Sequence, residues 1–418
     1  MFLDNVEKTL LGPKHGWSDK LEDFPVQKMS YLSTTQRETL DKAGIKTLGD
    51  LADMWGSLTD LTSESLPLEV LEKASAGARI LIIGRRGEAE QTIEPLKIML
   101  VGLDAAGKSS ILNMLTRTKP LWEIRQIISQ LMPTLGSSHE RLSIAGLPIN
   151  VLELGGHEKY RNDYLKQPEE YFLRSHALIF VIDATNKERY DLALNYLQKT
   201  IDLMAFLSLK HPIYVFLHKN DPNVADENHQ IIRGLKKKLR DVLPPSQREN
   251  IFETSVFRPS SISEAFTRII QQLLPIVHWL NEDLARASIE ELGTPYLSII
   301  DQKLVLLGEY SAFSNVGTET VRNKFFSMFY GLNLNLTEPV FVVLEDNKID
   351  AKQPLYLTLS NVSIGGMAFY CALVGTNKNQ AVKYNRKQLS ELLERRVGPE
   401  VRFLTVTQST RSHDKLRS

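Results

Sequence analysis

The sequence predicts an α/β chain: a doubly wound sheet around a glycine-rich phosphate loop, with a small all-α unit before it and an α+β unit after it. Three observations carry that expectation. The apolar run Leu96-Lys97-Ile98-Met99-Leu100-Val101 leads into Gly102-Leu103-Asp104-Ala105-Ala106-Gly107-Lys108-Ser109, and Ser110-Ile111-Leu112-Asn113-Met114-Leu115 follows with helical spacing. Strand-like and helix-like stretches then alternate, which argues for a parallel sheet covered by helices on both faces. The pattern is helical before about Pro95 and rich in hairpins and strands beyond about Glu290. At 418 residues the chain exceeds what one core usually serves. The expected units are residues 1–92, 93–288 and 289–418.

Strand, glycine loop and helix are the context that a G-x-x-x-x-G-K-[ST] match requires. Gly102 and Gly107 let the backbone curl, so that N–H groups of Asp104, Ala105, Ala106, Gly107, Lys108, Ser109 and Ser110 point inward at a helix N-terminus that favours anions. Lys108 is placed to reach the β- and γ-phosphates, and the Ser109 hydroxyl to take one position on Mg²⁺. A plain turn joining strand to helix would not need all four fixed positions.

Composition narrows the classes. Lys plus Arg and Asp plus Glu are both 50, so the formal net charge is zero and a global basic field for nucleic acid is excluded. The single cysteine, Cys371, lies in the run Met367–Val374 and reads as a small core hydrophobe. That excludes a disulfide frame and a cysteine-based metal site, and fits a reducing compartment. No apolar run approaches the ~20 residues needed to span a bilayer. Phe2 stands where N-myristoylation needs glycine, and the opening residues lack a signal-peptide pattern. A cytoplasmic protein with no direct membrane anchor is expected, recruited to membranes only through a partner.

Taken in order, Ser33–Ile45 reads as a capped helix closed by Gly44, Lys46–Met54 as a second helix, and Pro67–Ile83 as a third that ends at Gly84. No N-terminal amphipathic helix is expected. Gly87-Glu88-Ala89-Glu90-Gln91-Thr92 reads as a linker. The phrase Leu40-x-x-Ala43-Gly44-Ile45-x-Thr47-Leu48-x-x-Leu51 resembles the helix-hairpin-helix units of RNA polymerase α-subunit tails and recombinase amino-terminal domains. It lacks their Gly-x-Gly hairpin and carries several aspartates, so docking or a structural role is expected ahead of DNA contact.

Strands are expected at Leu96–Val101, Glu140–Ile144, Asn150–Leu154, Ala177–Asp183, Ile213–Leu217 and Asn250–Glu253. Helices are expected at Lys108–Arg117, Glu169–Arg174, Glu188–Leu207, Asn228–Leu239 and Ser261–Leu284. Beyond Glu290, Tyr296–Ile300 and Leu304–Tyr310 read as a hairpin, and Asn315–Phe329 as a helix with Val321, Phe325, Met328 and Phe329 on one face. Strands Val340–Glu345, Leu355–Leu359 and Met367–Val374 follow, then a closing helix, Val382–Arg396. That order, β-β-α-β-β-β-α, resembles longin and roadblock domains. The resemblance implies pairing, so a homo- or heterodimer through this unit is expected.

Four further stretches sharpen the phosphate loop: Pro133-Thr134-Leu135-Gly136, Glu153-Leu154-Gly155-Gly156-His157, His218-Lys219-Asn220-Asp221 and Glu253-Thr254-Ser255-Val256. The last three end predicted strands, where open α/β sheets bind ligands. With them, residues of about 95 to 275 resemble an Arf-family small GTPase, close also to Gα and the signal-recognition-particle receptor β subunit. The loop G-L-D-A-A-G-K, the P-T-L-G and G-G motifs, the segment Leu178–Tyr190 and Thr254-Ser255 carry the likeness.

The resemblance implies a Ras-like GTPase of the P-loop NTPase class, with GTP/GDP and Mg²⁺ as cofactors. It implies that Thr134 binds Mg²⁺ and the γ-phosphate, that the Gly156 N–H donates to the same phosphate, and that both loops let go on hydrolysis. Asp221 would accept from guanine, Lys219 would lie along the base, and Ser255 with Val256 would close the pocket. Three positions depart from the family. Glu153 replaces the aspartate that holds Mg²⁺ through water. His157 replaces the glutamine that orients the attacking water. His218 replaces the asparagine that braces the phosphate loop. The expectation is a GTP switch with slow hydrolysis, His157 and Lys108 being its catalytic candidates. Its partners would be effectors, an exchange factor and an activating protein, in trafficking or signalling. The alternative is a catalytically impaired GTP-binding scaffold subunit.

Overall fold

The computed structural model describes residues 2–12, 20–54, 58–89, 95–116, 121–132, 134–209, 211–222, 225–274, 276–332, 339–344 and 354–406. Its first unit is helical: α1 (Phe2–Leu11), α2 (Thr34–Lys42), α3 (Leu48–Asp53) and α4 (Leu68–Ala89). Ser33 and Gln36 form a capping box at α2, and Thr47 and Asp50 form one at α3. These satisfy backbone N–H groups that a helix start leaves orphaned.

Two expectations about this unit are corrected. Helix α4 does not stop at Gly84 but continues to Ala89, so the first part of the expected linker is helical, while residues 90–92 lie outside the described residues. A helical glycine costs about 1 kcal/mol relative to alanine, and burial of Leu71, Ala74, Ala78 and Leu81 outweighs it. An amphipathic helix does open the chain: Val6, Leu10 and Leu11 of α1 are buried. Leu10 lies against Gly77 of α4, where a Cβ would collide with it.

The central unit runs β1 (Leu96–Gly102), α5 (Lys108–Thr116), α6 (Leu121–Ser129), β2 (Ser137–Ile144), β3 (Leu147–Leu154), α7 (Glu158–Lys166), α8 (Pro168–Phe172) and β4 (Ala177–Asp183). It continues through α9 (Tyr190–Phe206), β5 (Ile213–His218), α10 (Ala225–Val242), β6 (Ile251–Thr254) and α11 (Pro259–Leu273). The six strands lie in the order β2-β3-β1-β4-β5-β6. All pairs are parallel except β2 with β3, which form an antiparallel hairpin. The fold is therefore the α/β class that the alternating pattern predicts. Strand β4 is apolar and buried from Ala177 to Ile182 because both its faces are covered. The single helix expected over Ser261–Leu284 is two: α11 stops, and α12 (Val277–Arg286) starts afresh. Leu274 has extended dihedrals (φ −106°, ψ 97°), the conformation that the following Pro275 imposes on its predecessor.

The last unit holds a second sheet: β7 (Tyr296–Asp301), β8 (Leu306–Ser311), α13 (Asn315–Leu332), β9 (Val340–Leu344), β10 (Leu355–Ile364), β11 (Met367–Gly375), α14 (Lys378–Val382) and α15 (Arg386–Val406). Its order is β8-β7-β11-β10-β9, and every pair is antiparallel. The closing helix begins at Arg386 rather than Val382 and runs past Arg396 through Pro399. On α13 the large apolar side chains buried are Val321, Phe325, Phe326 and Phe329, while Met328 is only partly buried.

One apolar cluster spans all three units. It includes Val6 and Leu71, then Ile98, Val151 and Ile179 beneath the central sheet, then Leu297, Val362 and Val401. The opposite face of the central sheet packs its own cluster around Phe180, Leu197 and Leu217.

Candidate nucleotide site

The phosphate loop follows β1 and turns directly into α5. Gly107 has φ 96°, a left-handed conformation, and a Cβ there would strike the ring of His218. Glycine is thus required twice over, by dihedral and by space. Ala105 is also left-handed, at φ 57°. Lys108 is buried, and its Nζ donates to the carbonyls of Gly102 (3.1 Å) and Leu103 (2.8 Å). Burial pushes its ammonium down to about 8, against the pull of Glu153 and Asp104. Asp104 is held by Arg189, which donates to its backbone oxygen (3.0 Å) and its Oδ1 (2.5 Å). Burial alone would raise this carboxyl; Arg189 outweighs it and holds it low.

Three oxygens converge below the loop. Ser109 Oγ donates to Glu153 Oε1 at 2.6 Å, Thr134 Oγ1 donates to the same oxygen at 3.0 Å, and the two hydroxyls are 3.1 Å apart. Octahedral Mg²⁺ with ligands at about 2.0–2.1 Å spaces adjacent oxygens by about 2.9 Å. The donor set therefore fits such a cation, hard oxygens in one triangle of suitable edge. Among the described residues no group of three or more His, Cys, Asp or Glu is placed to hold a metal, so a site at this loop draws on hydroxyls.

The two loops flanking the β2–β3 hairpin are joined. Gly155 N donates to Gly136 O at 2.7 Å, and Tyr164 OH donates to the same carbonyl at 2.6 Å. Arg161 Nε donates to Gly156 O at 3.0 Å, with its guanidinium over the Tyr196 ring. Gly156 sits on the backbone of Leu103 and Asp104 so closely that any Cβ would clash. His157 is exposed at the N-cap of α7 and makes no side-chain capping bond. A cavity of about 380 Å³ is lined by Asp104 to Ser110 together with Thr134, Glu153, Gly156, His157 and Lys219.

The other expected residues lie beside this cavity, at the ends of β5 and β6. His218 is buried, its ring against Gly107 and its Nδ1 3.0 Å from Thr254 Oγ1. Burial, with the Lys219 charge adding to it, pushes His218 down to about 3 against Asp183. It is therefore a neutral brace. Lys219 is left-handed (φ 66°), and its Nζ donates to Asp183 Oδ2 at 2.7 Å. Asp221 accepts from Ser255 Oγ, which itself accepts from Phe257 N at 2.9 Å. Val256 is buried next to this pair in sequence.

Several contributors were not singled out from sequence. Arg161 and Tyr164 carry no motif. Arg189 and Asp183 sit inside the segment that resembles the Arf family but had no assigned role. Asn220 Nδ2 donates to Glu253 Oε2 at 2.7 Å, and Glu253 pairs with Lys236 at 2.5 Å. These bonds tie the two base-side loops together.

Phosphate loop, hydroxyl triangle and the Asp221 loop at one end of a mostly parallel sheet define a small GTPase of Arf/Arl-like type, a guanine-nucleotide-binding class. Residues 97–305, half of the chain, match the Gtr1/RagA G protein conserved region, and the chain belongs to that family. It is similar to ADP-ribosylation factor J of Dictyostelium discoideum, 33% identical over 141 residues, covering 33% of this chain and 66% of that protein. It is also similar to ADP-ribosylation factor-like protein 6 of Caenorhabditis elegans, 31% identical over 126 residues, covering 30% of this chain and 61% of that protein. The chain thus spans less than two thirds of either relative. A solved structure, the Arl6 BBS3 small GTPase from Trypanosoma brucei with bound GppNp, aligns at 19% identity and a TM-score of 0.33, covering 43% of this chain and 98% of that one. Among the described residues no helix is long and apolar enough to cross a membrane.

Proposed function

We propose that this chain is a Mg²⁺-dependent GTP switch that hydrolyses GTP slowly and changes its partner binding with the bound nucleotide. One observation carries the reading: a phosphate cradle and a serine-braced aspartate stand at the same end of one sheet. Asp104 to Ser110 would present N–H groups to the phosphates, and Lys108 would trade its two carbonyl partners for phosphate oxygens. Ser109, Thr134 and Glu153 would hold Mg²⁺, which when bound neutralises charge on the phosphates. Asp221 would accept from guanine N1 and N2, an arrangement that adenine does not match. Lys219 and the Ser255–Val256 loop would line the base. His157, exposed at the cavity rim, would orient the attacking water.

The units proposed are residues 1–92, 93–288 and 289–418, the last a longin/roadblock-like module on the strength of its strand order. Effectors, an exchange factor and an activating protein are the partners such a switch needs, and the last module would pair with a second such module. The cytoplasm, with recruitment to membranes through a partner, is the proposed location, and trafficking or signalling the setting.

Loading purified protein with GTP and Mg²⁺, incubating, and identifying the bound nucleotide by chromatography tests the reading. GDP is the expected product, slowed by His157→Ala. Intact GTP would turn the protein into a GTP-holding scaffold, and an empty site would overturn the proposal.

A further inference from the structure

We propose that the β7–β8 turn of the C-terminal unit is a positioning element of the nucleotide site, fastened through Lys303 to the phosphate-loop helix and packed through Val305 and Leu307 against the β2–β3 hairpin. This rests on the nucleotide site proposed above and names how that site would be regulated. Lys303 Nζ donates to Thr116 O at 2.7 Å. Thr116 is the last residue of α5, whose first two are Lys108 and Ser109. A cation there satisfies an orphan carbonyl and complements the negative end of the helix.

Asp301 holds the turn in shape. It is buried, and its Oδ1 accepts from Lys303 N (2.8 Å) and Val305 N (2.9 Å). Burial raises this carboxyl to about 6, and the nearby backbone N–H groups of Val305, Lys303 and Ala145 act against the rise. Ala145 and Gly146, both left-handed at φ 49° and 78°, are the closed end of the β2–β3 hairpin. The open ends of that hairpin lead to Thr134 on one side and to Glu153 and Gly156 on the other. Those are the residues proposed to sense the γ-phosphate and the metal.

The turn does not float. Leu306 N donates to Thr267 Oγ1 of α11 at 3.0 Å, and Gln271 Nε2 of α11 donates to Leu306 O at 3.3 Å. Leu142, Ile144 and Leu147 of the hairpin share an apolar cluster with Val305 and Leu307. A displacement of the hairpin therefore reaches the second sheet through a seated turn. Coupling of this kind is reciprocal: a partner that moves the second sheet would change nucleotide affinity by the factor by which nucleotide changes the partner's.

The test uses the full chain, with Lys303→Met and Asp301→Asn variants and Lys387→Met, exposed on α15, as a control. Three quantities are read: the dissociation rate of a fluorescent GDP analogue, the thermal midpoint, and amide exchange at residues 145–147 and 301–305 with and without GDP. Lys303→Met is expected to speed dissociation about two- to fivefold, with the control unchanged. Wild-type protein should gain exchange protection at both segments on binding GDP, and Lys303→Met should lose part of it. Asp301→Asn should act in the same direction; if it fails to fold, Lys303→Met and the wild-type exchange pattern still decide. A thermal loss with unchanged dissociation, or exchange indifferent to GDP at both segments, would leave the turn a purely structural contact and overturn the proposal. Wild-type protein that binds no guanine nucleotide would sink the reading beneath it and the coupling together. Normal binding with indifferent variants would sink the coupling alone.

Discussion

The two ends of the candidate site are built on different principles. At the base end, His218, Asp183, Asn220, Asp221 and Ser255 are each bonded to another protein group, and Asn220, His218 and Ser255 are buried. At the phosphate end, Ser109, Thr134 and Glu153 bond one another, Lys108 bonds its own loop, and the approach carries Met132 and Leu135 at 82% and 78% exposure. The base end keeps its shape through partners that a ligand need not replace. The phosphate end uses up its polar groups on internal bonds that a phosphate and a cation would have to exchange. Affinity should therefore sit largely in the first, and sensitivity to nucleotide state in the second.

Substitutions can break that division. The largest effect is expected for Asp221→Ala, which would remove the two charge-assisted bonds proposed to guanine, about 1.5–3 kcal/mol each. Guanine-nucleotide affinity measured by calorimetry should fall about a hundredfold or more; a loss below tenfold would mean that the base binds elsewhere. Next comes Glu153→Ala, expected to lower affinity about ten- to a hundredfold in Mg²⁺ and hardly at all in EDTA. Affinity that keeps its full Mg²⁺ dependence in this variant would dismiss the hydroxyl triangle as a metal site.

A third substitution uses pH. His218 titrates near 3 in the folded protein rather than 6.5, so between those values only the unfolded chain takes the proton. Wild-type stability should drop as pH falls below about 6.5, by about 2 kcal/mol at pH 5 from this group. His218→Asn removes that loss, so its thermal midpoint relative to wild type should rise between pH 7 and pH 5. A constant difference would show that His218 is not a neutral brace. The smallest effect is expected for Tyr164→Phe, about 1 kcal/mol of stability from the lost bond to Gly136. Its exchange protection should fall in the loops around 136 and 155 and stay level around 218–221; an equal fall at both would erase the contrast.

Much of this was legible in the chain itself. The strands of the central sheet declare themselves because burial on two faces demands unbroken apolar runs, as in 177–182. The phosphate loop is local, so its motif and its structure coincide. What escaped reading is non-local or ambiguous. The apolar face of α1 has meaning only once Gly77 is placed beneath it. The break at Leu274 was signalled by Pro275, yet the apolar spacing on both sides continues and masks it. The bond from Lys303 to Thr116 joins distant parts of the chain, and neither residue is unusual where it stands. Tyr164 matters for where its hydroxyl arrives, which no spacing rule encodes.

The seat of α1 depends on a side chain that is not there. At position 77 the chain carries a single hydrogen, and Leu10 occupies the room this leaves. Any amino-acid substitution at that position would add carbon atoms to a filled space. The Leu10 side chain would then have to turn aside, and where α1 lifts instead, Val6, Leu10 and Leu11 return to water at about 1.5–3 kcal/mol each. Variation along α1 can be absorbed residue by residue, whereas any side chain at Gly77 presses on Leu10 and Trp279 together. A census of tolerated substitutions should show that one position on α4 as more restricted than the exposed positions of α1, for packing and not for chemistry.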